Sequence, residues 1–175
     1  VYINAVLSMQ EHPHNKAFIS HFSNENSLKL LLDSKENFIS YYFTEEDLKD
    51  YNTLLKVFPP LRTKKDQEAL FKAIEDGTID CISSHHMPHD WDAKTIEFEN
   101  AKAGIASIET SFATIQHLFP KLSDNRISEL FSLNARSIFK LENEGITEGA
   151  LADLNFYNKT ETTFLSQKDS KSKSA

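Results

Sequence analysis

The stretch from Thr78 to His89 constrains this chain most, because it joins a buried strand to a group of imidazoles. Its first half, with Ile79 and Ile82, is apolar and favours a β-strand. Gly77 lies just before it and favours the end of a preceding helix. Three histidines follow the strand within five residues: His85, His86 and His89. Titratable groups at the carboxyl end of a strand are typical of α/β barrel sites, and a solvated histidine-rich loop is the alternative.

Strands and helices alternate along the chain. Strands are predicted at 17–23, 38–43, 78–83 and 150–157. A helix is predicted after the first of them, up to about residue 35. Alternating elements joined by short loops predict an α/β fold with a parallel sheet. Four strands do not close an eight-stranded barrel, which usually needs about 200 residues or more. The chain is therefore interpreted as part of a (β/α)8 barrel.

Capping residues mark the predicted helix starts. Thr44 with Asp47 forms a capping-box pattern with acidic residues in the first turn. Thr63 precedes a helix predicted from about Lys64 to Asp76, and Ser123 precedes another. Between Phe58 and Arg62 the two prolines predict a stiff, extended connector. Further helices are predicted over 104–118 and 134–139.

Composition excludes several classes of partner. The 175 residues carry a net charge of −7. An acidic chain without a basic stripe predicts no binding to nucleic acid or anionic membranes. No run approaches the roughly 20 apolar residues that span a bilayer. The single cysteine, Cys81, excludes an internal disulfide and predicts a reducing compartment, the cytoplasm.

Several motifs in a fixed order resemble those of dihydroorotase, a member of the amidohydrolase superfamily. The matching segments are Phe58–Arg62, Asp76–Asp80, Ser84–His89, Gly104–Thr110, Asn134–Leu141 and Gly149–Leu154. The family has Asn-Pro-Pro-Leu-Arg in the first segment, Asp-Gly-Thr-Ile-Asp in the second and Asp-His-Ala-Pro-His in the third. The resemblance spans most of residues 17–173 and implies a metal-dependent amidohydrolase barrel.

The resemblance also implies a chemistry and a set of site residues. Family members interconvert dihydroorotate and N-carbamoyl-aspartate in pyrimidine biosynthesis, using zinc to polarise the ring carbonyl and activate water. By position, His21 corresponds to a metal ligand, His89 to the group that contacts the substrate carboxylate, and Gly104 to a glycine beside the substrate. His86 corresponds to the histidine of the family's Asp-His pair. The implied partner is a small, dihydroorotate-like molecule.

The chain departs from the family pattern at several site positions. His85 stands where the family has its catalytic aspartate. Ile39 and Ser40 stand where the family has the two histidines of a metal-ligand strand, and Phe58 replaces a substrate-binding asparagine. The family's first His-x-His-x-Arg strand lies outside this chain. Whether the chain holds zinc is therefore open, and the chain alone is predicted to be inactive.

Three hypotheses follow from these departures. The first is a working, divergent amidohydrolase. The second is an inactive dihydroorotase homologue that serves as a structural or partner subunit in a homo-oligomer or hetero-complex. The third is an unrelated metal-binding module built on the imidazoles of His85, His86 and His89.

Three regions are predicted along the chain. Residues 1–141 form the partial amidohydrolase barrel. Residues 142–158 belong to a small β-sandwich domain, to which the strand at 150–157 contributes. Residues 159–175 are polar, carry no apolar period and are expected to be a disordered tail.

Overall fold

A computed structural model describes residues 34–37, 39–139, 141, 145–152, 154–162, 164–166 and 168–172. The predicted strand at 17–23, with His21, lies outside the described residues. So does most of the helix predicted after it.

Two parallel strands form the sheet. Strand β1 (Ser34–Asn37) pairs with β2 (Ile79–Ser83), and Asn37 lies opposite Ser83. The long connection between them carries a helix, as a parallel crossover requires. The described part therefore has the predicted α/β arrangement with parallel strands, and β2 lies where the sequence predicted it.

The strand predicted at 38–43 is wrong. Strand β1 ends at Asn37, and helix α1 (Ile39–Tyr42) begins two residues later. The backbone N–H of Phe43 donates to the carbonyl of Ile39 at 3.1 Å, which is a helical contact. Ile39 and Tyr41 are buried in the core. A short apolar run does not distinguish a buried strand from a buried helical turn, and here tertiary packing selects the helix.

The predicted caps are present. Asp47 accepts hydrogen bonds from the backbone and hydroxyl of Thr44 at the start of a 3-10 segment, Glu45–Tyr51. Helix α2 (Lys64–Glu75) begins with the same arrangement between Thr63 and Asp66 and ends just before Gly77, whose φ is +84°. Short 3-10 turns lie at Thr53–Leu55 and Trp91–Ala93.

Three helices follow the second strand. They are α3 (Ser111–Leu118), α4 (Asp124–Ser128) and α5 (Asn134–Phe139), with a π-helical turn at Glu129–Leu133 between the last two. The hydroxyl of Ser123 accepts from the N–H of Arg126, as the capping pattern predicted. Helix α3 begins seven residues later than the sequence predicted. Ile105 instead forms a parallel bridge with His86, which keeps the chain extended there.

The core lies between β2, α1 and the later helices. Its most buried large apolar side chains are Ile39, Tyr41, Leu70, Ile74, Ile79, Ile115 and Leu130. Arg126 connects α4 to β2, because its guanidinium donates to the carbonyl of Ile79 at 2.6 Å. No helix in the described part is both long and apolar enough to cross a membrane.

The strand predicted at 150–157 is not formed by the described residues of that segment. Leu151 and Phe156 are almost fully exposed, and no described strand lies beside them to complete a ladder. Its membership of a small β domain stays a prediction. Farther on, the polar tail contacts the helical part, because Lys159 pairs with Asp124 and the backbone N–H of Lys171 donates to Glu109.

Candidate functional site

The carboxyl ends of β1 and β2 bring Ile39 and His85, which stand at two site positions of the family pattern, to one edge of the sheet. Because β1 and β2 are parallel and Asn37 lies opposite Ser83, Ile39 and His85 each follow the paired residues by two positions. They therefore lie at the same end of neighbouring strands. In α/β barrels this is the end that carries the chemistry.

A third extended segment joins this edge. His86 and Ile105 form a parallel bridge, and the N–H of Met87 donates to the Ile105 carbonyl at 2.9 Å. The segment that begins at Gly104 is thereby aligned beside the end of β2. This contact brings the histidine stretch and Gly104 together.

His85 has a strained backbone and a neutral side chain. Its φ is +48°, in the left-handed region that few non-glycine residues adopt, and its N–H donates to the Ser83 hydroxyl at 3.3 Å. Burial lowers the pKa of its imidazole. A neutral imidazole offers a lone pair to a proton or a metal ion, but it lacks the negative charge of an aspartate.

His86 binds the neighbouring backbone. Its Nδ1 accepts hydrogen bonds from the N–H groups of Ser107 at 3.0 Å and Ile108 at 3.2 Å. The Ser107 hydroxyl donates to the Ser84 carbonyl at 2.7 Å, which fixes the same turn to the end of β2. The Nδ1 lone pair is therefore occupied, and His86 serves to hold the turn before α3.

His89 and Gly104 are in direct contact. The Nε2 of His89 lies 3.0 Å from the Ala103 carbonyl, and since a carbonyl only accepts, Nε2 carries the proton and donates. Gly104 has a φ of +150°, and a Cβ there would lie 2.5 Å from the Met87 carbonyl oxygen and 2.9 Å from His89 Nε2. Only glycine fits this close approach. The two residues assigned to the substrate side thus form one unit.

Lys94 is a residue that sequence reasoning missed. Its side chain is buried, with 1% of the residue exposed, and its Nζ donates to the Gly104 carbonyl at 2.8 Å and to the Lys102 carbonyl at 3.0 Å. Burial, and secondly the charge of Lys56, lower the pKa of this ammonium. A lysine in a polar loop carries no local signal of burial, so only the tertiary contact reveals it.

The donor set in the described part does not fit zinc. No three His, Cys, Asp or Glu side chains among the described residues group closely enough to hold a metal ion. His85, His86 and His89 do not come together as such a group in the described part of the chain. At the end of β1, Ile39 is apolar and 1% exposed, and Ser40 is a weak ligand. The predicted ligand His21 lies outside the described residues.

Comparison with known proteins identifies relatives by sequence. No family model matches the chain. It is 34% identical over 170 residues to a dihydroorotase from Caldanaerobacter subterraneus, which covers 90% of this chain and 39% of that protein. It is 37% identical over 150 residues to a dihydroorotase from Caldicellulosiruptor saccharolyticus, covering 78% of this chain and 34% of the relative. The chain therefore spans well under half the length of the curated relatives it matches.

Solved structures give the same fold. An L-hydantoinase from Arthrobacter aurescens superposes with a TM-score of 0.70 at 22% identity, over 79% of this chain and 34% of that protein. A dihydroorotase from Saccharomyces cerevisiae, solved with 5-fluoroorotic acid, gives 0.67 at 18% identity, over 75% of this chain and 40% of the other. These likenesses confirm that the chain has part of the fold of these amidohydrolases.

Proposed function

Since the chain is a homologue of the dihydroorotases, we propose that it supplies the substrate side of a dihydroorotase-type site and does not itself carry out metal-assisted hydrolysis. The observation that carries this proposal is Ile39. It stands at the carboxyl end of β1, at the same edge as His85, and its side chain belongs to the hydrophobic core. An apolar core residue cannot donate a lone pair where the family has a metal ligand.

The substrate side is supported by the unit of His89 and Gly104. The imidazole is held by the Ala103 carbonyl at 3.0 Å, and the glycine lets the Met87 carbonyl and the imidazole approach its backbone more closely than any side chain would allow. The bond from Nε2 to the Ala103 carbonyl fixes the plane of the imidazole beside Gly104. We infer that this unit recognises a carboxylate such as that of dihydroorotate.

The metal side is where the chain departs most from a working hydrolase. Bound zinc supplies a Lewis acid and an activated water in such sites. Here Ile39 has no donor atom, and His85 offers a neutral imidazole in place of an anionic carboxylate. The described residues therefore do not fit a two-zinc centre, and the chain acts as an inactive homologue within a homo-oligomer or a hetero-complex in the cytoplasm.

A working, divergent hydrolase is the second candidate. The lowered pKa of His85 favours it, because a neutral imidazole at the position of the family's aspartate has the lone pair that a general base needs. In that case ligands such as His21, together with residues that this chain does not contain, complete the centre.

Binding and turnover measured on the same purified chain separate the two candidates. We expect calorimetry to detect dihydroorotate binding, which His89→Ala abolishes, while zinc analysis gives less than one tightly bound ion per chain and no ring hydrolysis is measured. His85→Asp alone should not restore hydrolysis, since Ile39 still supplies no ligand. Two zinc ions per chain with turnover of dihydroorotate would establish the working hydrolase instead.

A further inference from the structure

We propose that Lys94 is a positioning residue, which fixes the carbonyls of Lys102 and Gly104 on either side of Ala103 and so orders the segment whose Ala103 carbonyl holds the imidazole of His89. The inference deepens the proposed function, because it concerns the same carboxylate-recognising unit. Lys94 lies ten residues before Gly104 in the chain and its side chain reaches that unit from inside the protein.

Three consecutive carbonyl groups connect Lys94 to His89. Lys94 Nζ donates to the carbonyls of Lys102 at 3.0 Å and Gly104 at 2.8 Å. The carbonyl between them, that of Ala103, accepts from His89 Nε2 at 3.0 Å. Each peptide plane in this run is therefore held by a side chain on one side or the other. The Ala103–Gly104 peptide is held by His89 and by the Gly104 N–H, which donates to the Lys56 carbonyl at 2.9 Å. Lys94 thus fixes the carbonyls on both sides of the one that binds the imidazole.

Lys94 is itself held in place by its own backbone. Its N–H donates to the Trp91 carbonyl at 2.9 Å, and its carbonyl accepts from the Thr53 hydroxyl at 2.5 Å. Lys102 donates from its N–H to the Ala93 carbonyl at 3.0 Å, which closes the loop around the lysine. A side chain anchored at its base and bound at its tip loses little further freedom when a ligand arrives, so it is preorganised.

The charge of Lys94 suits an anionic ligand. The hydrogen-bond acceptors described for its ammonium are the carbonyls of Lys56, Lys102 and Gly104, which are neutral. Their dipoles satisfy the donors without cancelling the charge. In a buried setting such a charge acts over a longer distance than it does in water. We expect this charge to favour a carboxylate over a neutral ring of the same shape at the unit of His89 and Gly104.

Lys56 provides a matched control, because its side chain binds the loop between Lys94 and Gly104. Its Nζ donates to the carbonyls of Phe98 at 2.6 Å and Glu99 at 3.0 Å, and to none of the three carbonyls around His89. Lys56→Met and Lys94→Met therefore each remove one ammonium that binds this loop. Only the second removes bonds to the carbonyls on either side of Ala103, so the difference between the two variants isolates the positioning role.

Three measurements on each variant test the proposal. We expect Lys94→Met to weaken dihydroorotate binding by about tenfold, because the segment that holds His89 is no longer ordered before the ligand arrives. Nitrogen NMR of the imidazole should show that His89 loses its single Nε2-protonated form, and amide exchange at Gly104 should accelerate. Lys56→Met should change binding less than about twofold and leave the His89 signal as in the wild type.

The outcomes separate this proposal from the proposed function. If the wild-type chain binds no dihydroorotate, the proposed function fails, while the His89 signal and the Gly104 exchange still decide the role of Lys94. A folded Lys94→Met chain with the wild-type His89 signal and wild-type exchange would overturn that role. If Lys94→Met does not fold, Thr53→Val replaces it, since it frees the base of Lys94 and should move both readouts in the same direction by less. An unchanged Thr53→Val would then overturn the proposal.

Discussion

At the scale of single residues, the closest approach in the site gives the first prediction. Gly104→Ala places a Cβ 2.5 Å from a backbone oxygen, whereas a Cβ on Gly77 meets nothing within 4 Å, although both glycines have positive φ. We expect Gly77→Ala to cost about 1 kcal/mol of unfolding free energy from backbone strain alone. Gly104→Ala should cost about 3 kcal/mol, because strain and displacement of the Met87 backbone add. Urea denaturation measures both, and equal losses would contradict the described contact.

The second prediction concerns the partly buried imidazole of His85. Burial lowers its pKa, so below the ordinary value of about 6.5 the unfolded chain binds a proton that the folded chain resists. Stability therefore falls with acidification, from that value down to the folded pKa. His85→Asn suits the left-handed backbone and does not titrate, so it should lose less stability between pH 7.5 and pH 5. Denaturation curves at the two pH values test this, and identical losses in the two proteins would exclude it.

At the scale of elements, a side chain of α4 holds the beginning of β2. Arg126 donates to the carbonyls of Ile79 at 2.6 Å and Ile74 at 3.3 Å, and its ion pair with Glu129 is partly exposed. Arg126→Met should cost about 2 kcal/mol, because it leaves the carbonyls of two buried residues without this donor. Glu129→Gln removes only the partly exposed pair and should cost less than about 0.5 kcal/mol. Thermal and urea unfolding compare the two, and similar effects would mean that the carbonyl contacts contribute little.

Elements with local signals were predictable from the sequence. Thr63 with Asp66 and the Gly77 stop bound helix α2 within a residue or two, and the apolar run of β2 is bounded by that same glycine. The start of α3 was misplaced because the bridge between His86 and Ile105 is a tertiary contact with no local trace. At the site, the substrate-side roles of His89 and Gly104 stay a prediction from the resemblance, and the burial of Lys94 followed from no local pattern.

At the scale of the whole molecule, the segment after α5 exposes large apolar side chains. Ile146, Leu151, Phe156 and Phe164 are 89%, 90%, 93% and 87% exposed. Replacing all four by serine should change the free energy of unfolding by about 0.5 kcal/mol or less per site, because little is packed against them. It should also reduce concentration-dependent self-association, which light scattering measures. The buried Ile74 provides the contrast, since Ile74→Ala should cost about 2–5 kcal/mol. If the serine variant lost as much unfolding free energy as Ile74→Ala, these four side chains would have to be packed against the rest of the chain.

Because Ile39 is buried, a metal ligand could replace it only at a cost in stability. An imidazole at that position would have to enter a core where Ile39 is 1% exposed, and a buried polar group without a partner costs about 1–3 kcal/mol. The substitution at Ile39 alone costs this stability, whereas metal binding would also need a carboxylate in place of His85 and the remaining ligands. Under the proposed function, a single substitution at Ile39 would therefore lower stability without completing a metal site. The two sides of the proposed site thus differ in how readily one mutation can change them, because Ile39 is fixed by the core whereas His89 and Gly104 are fixed by their own loop.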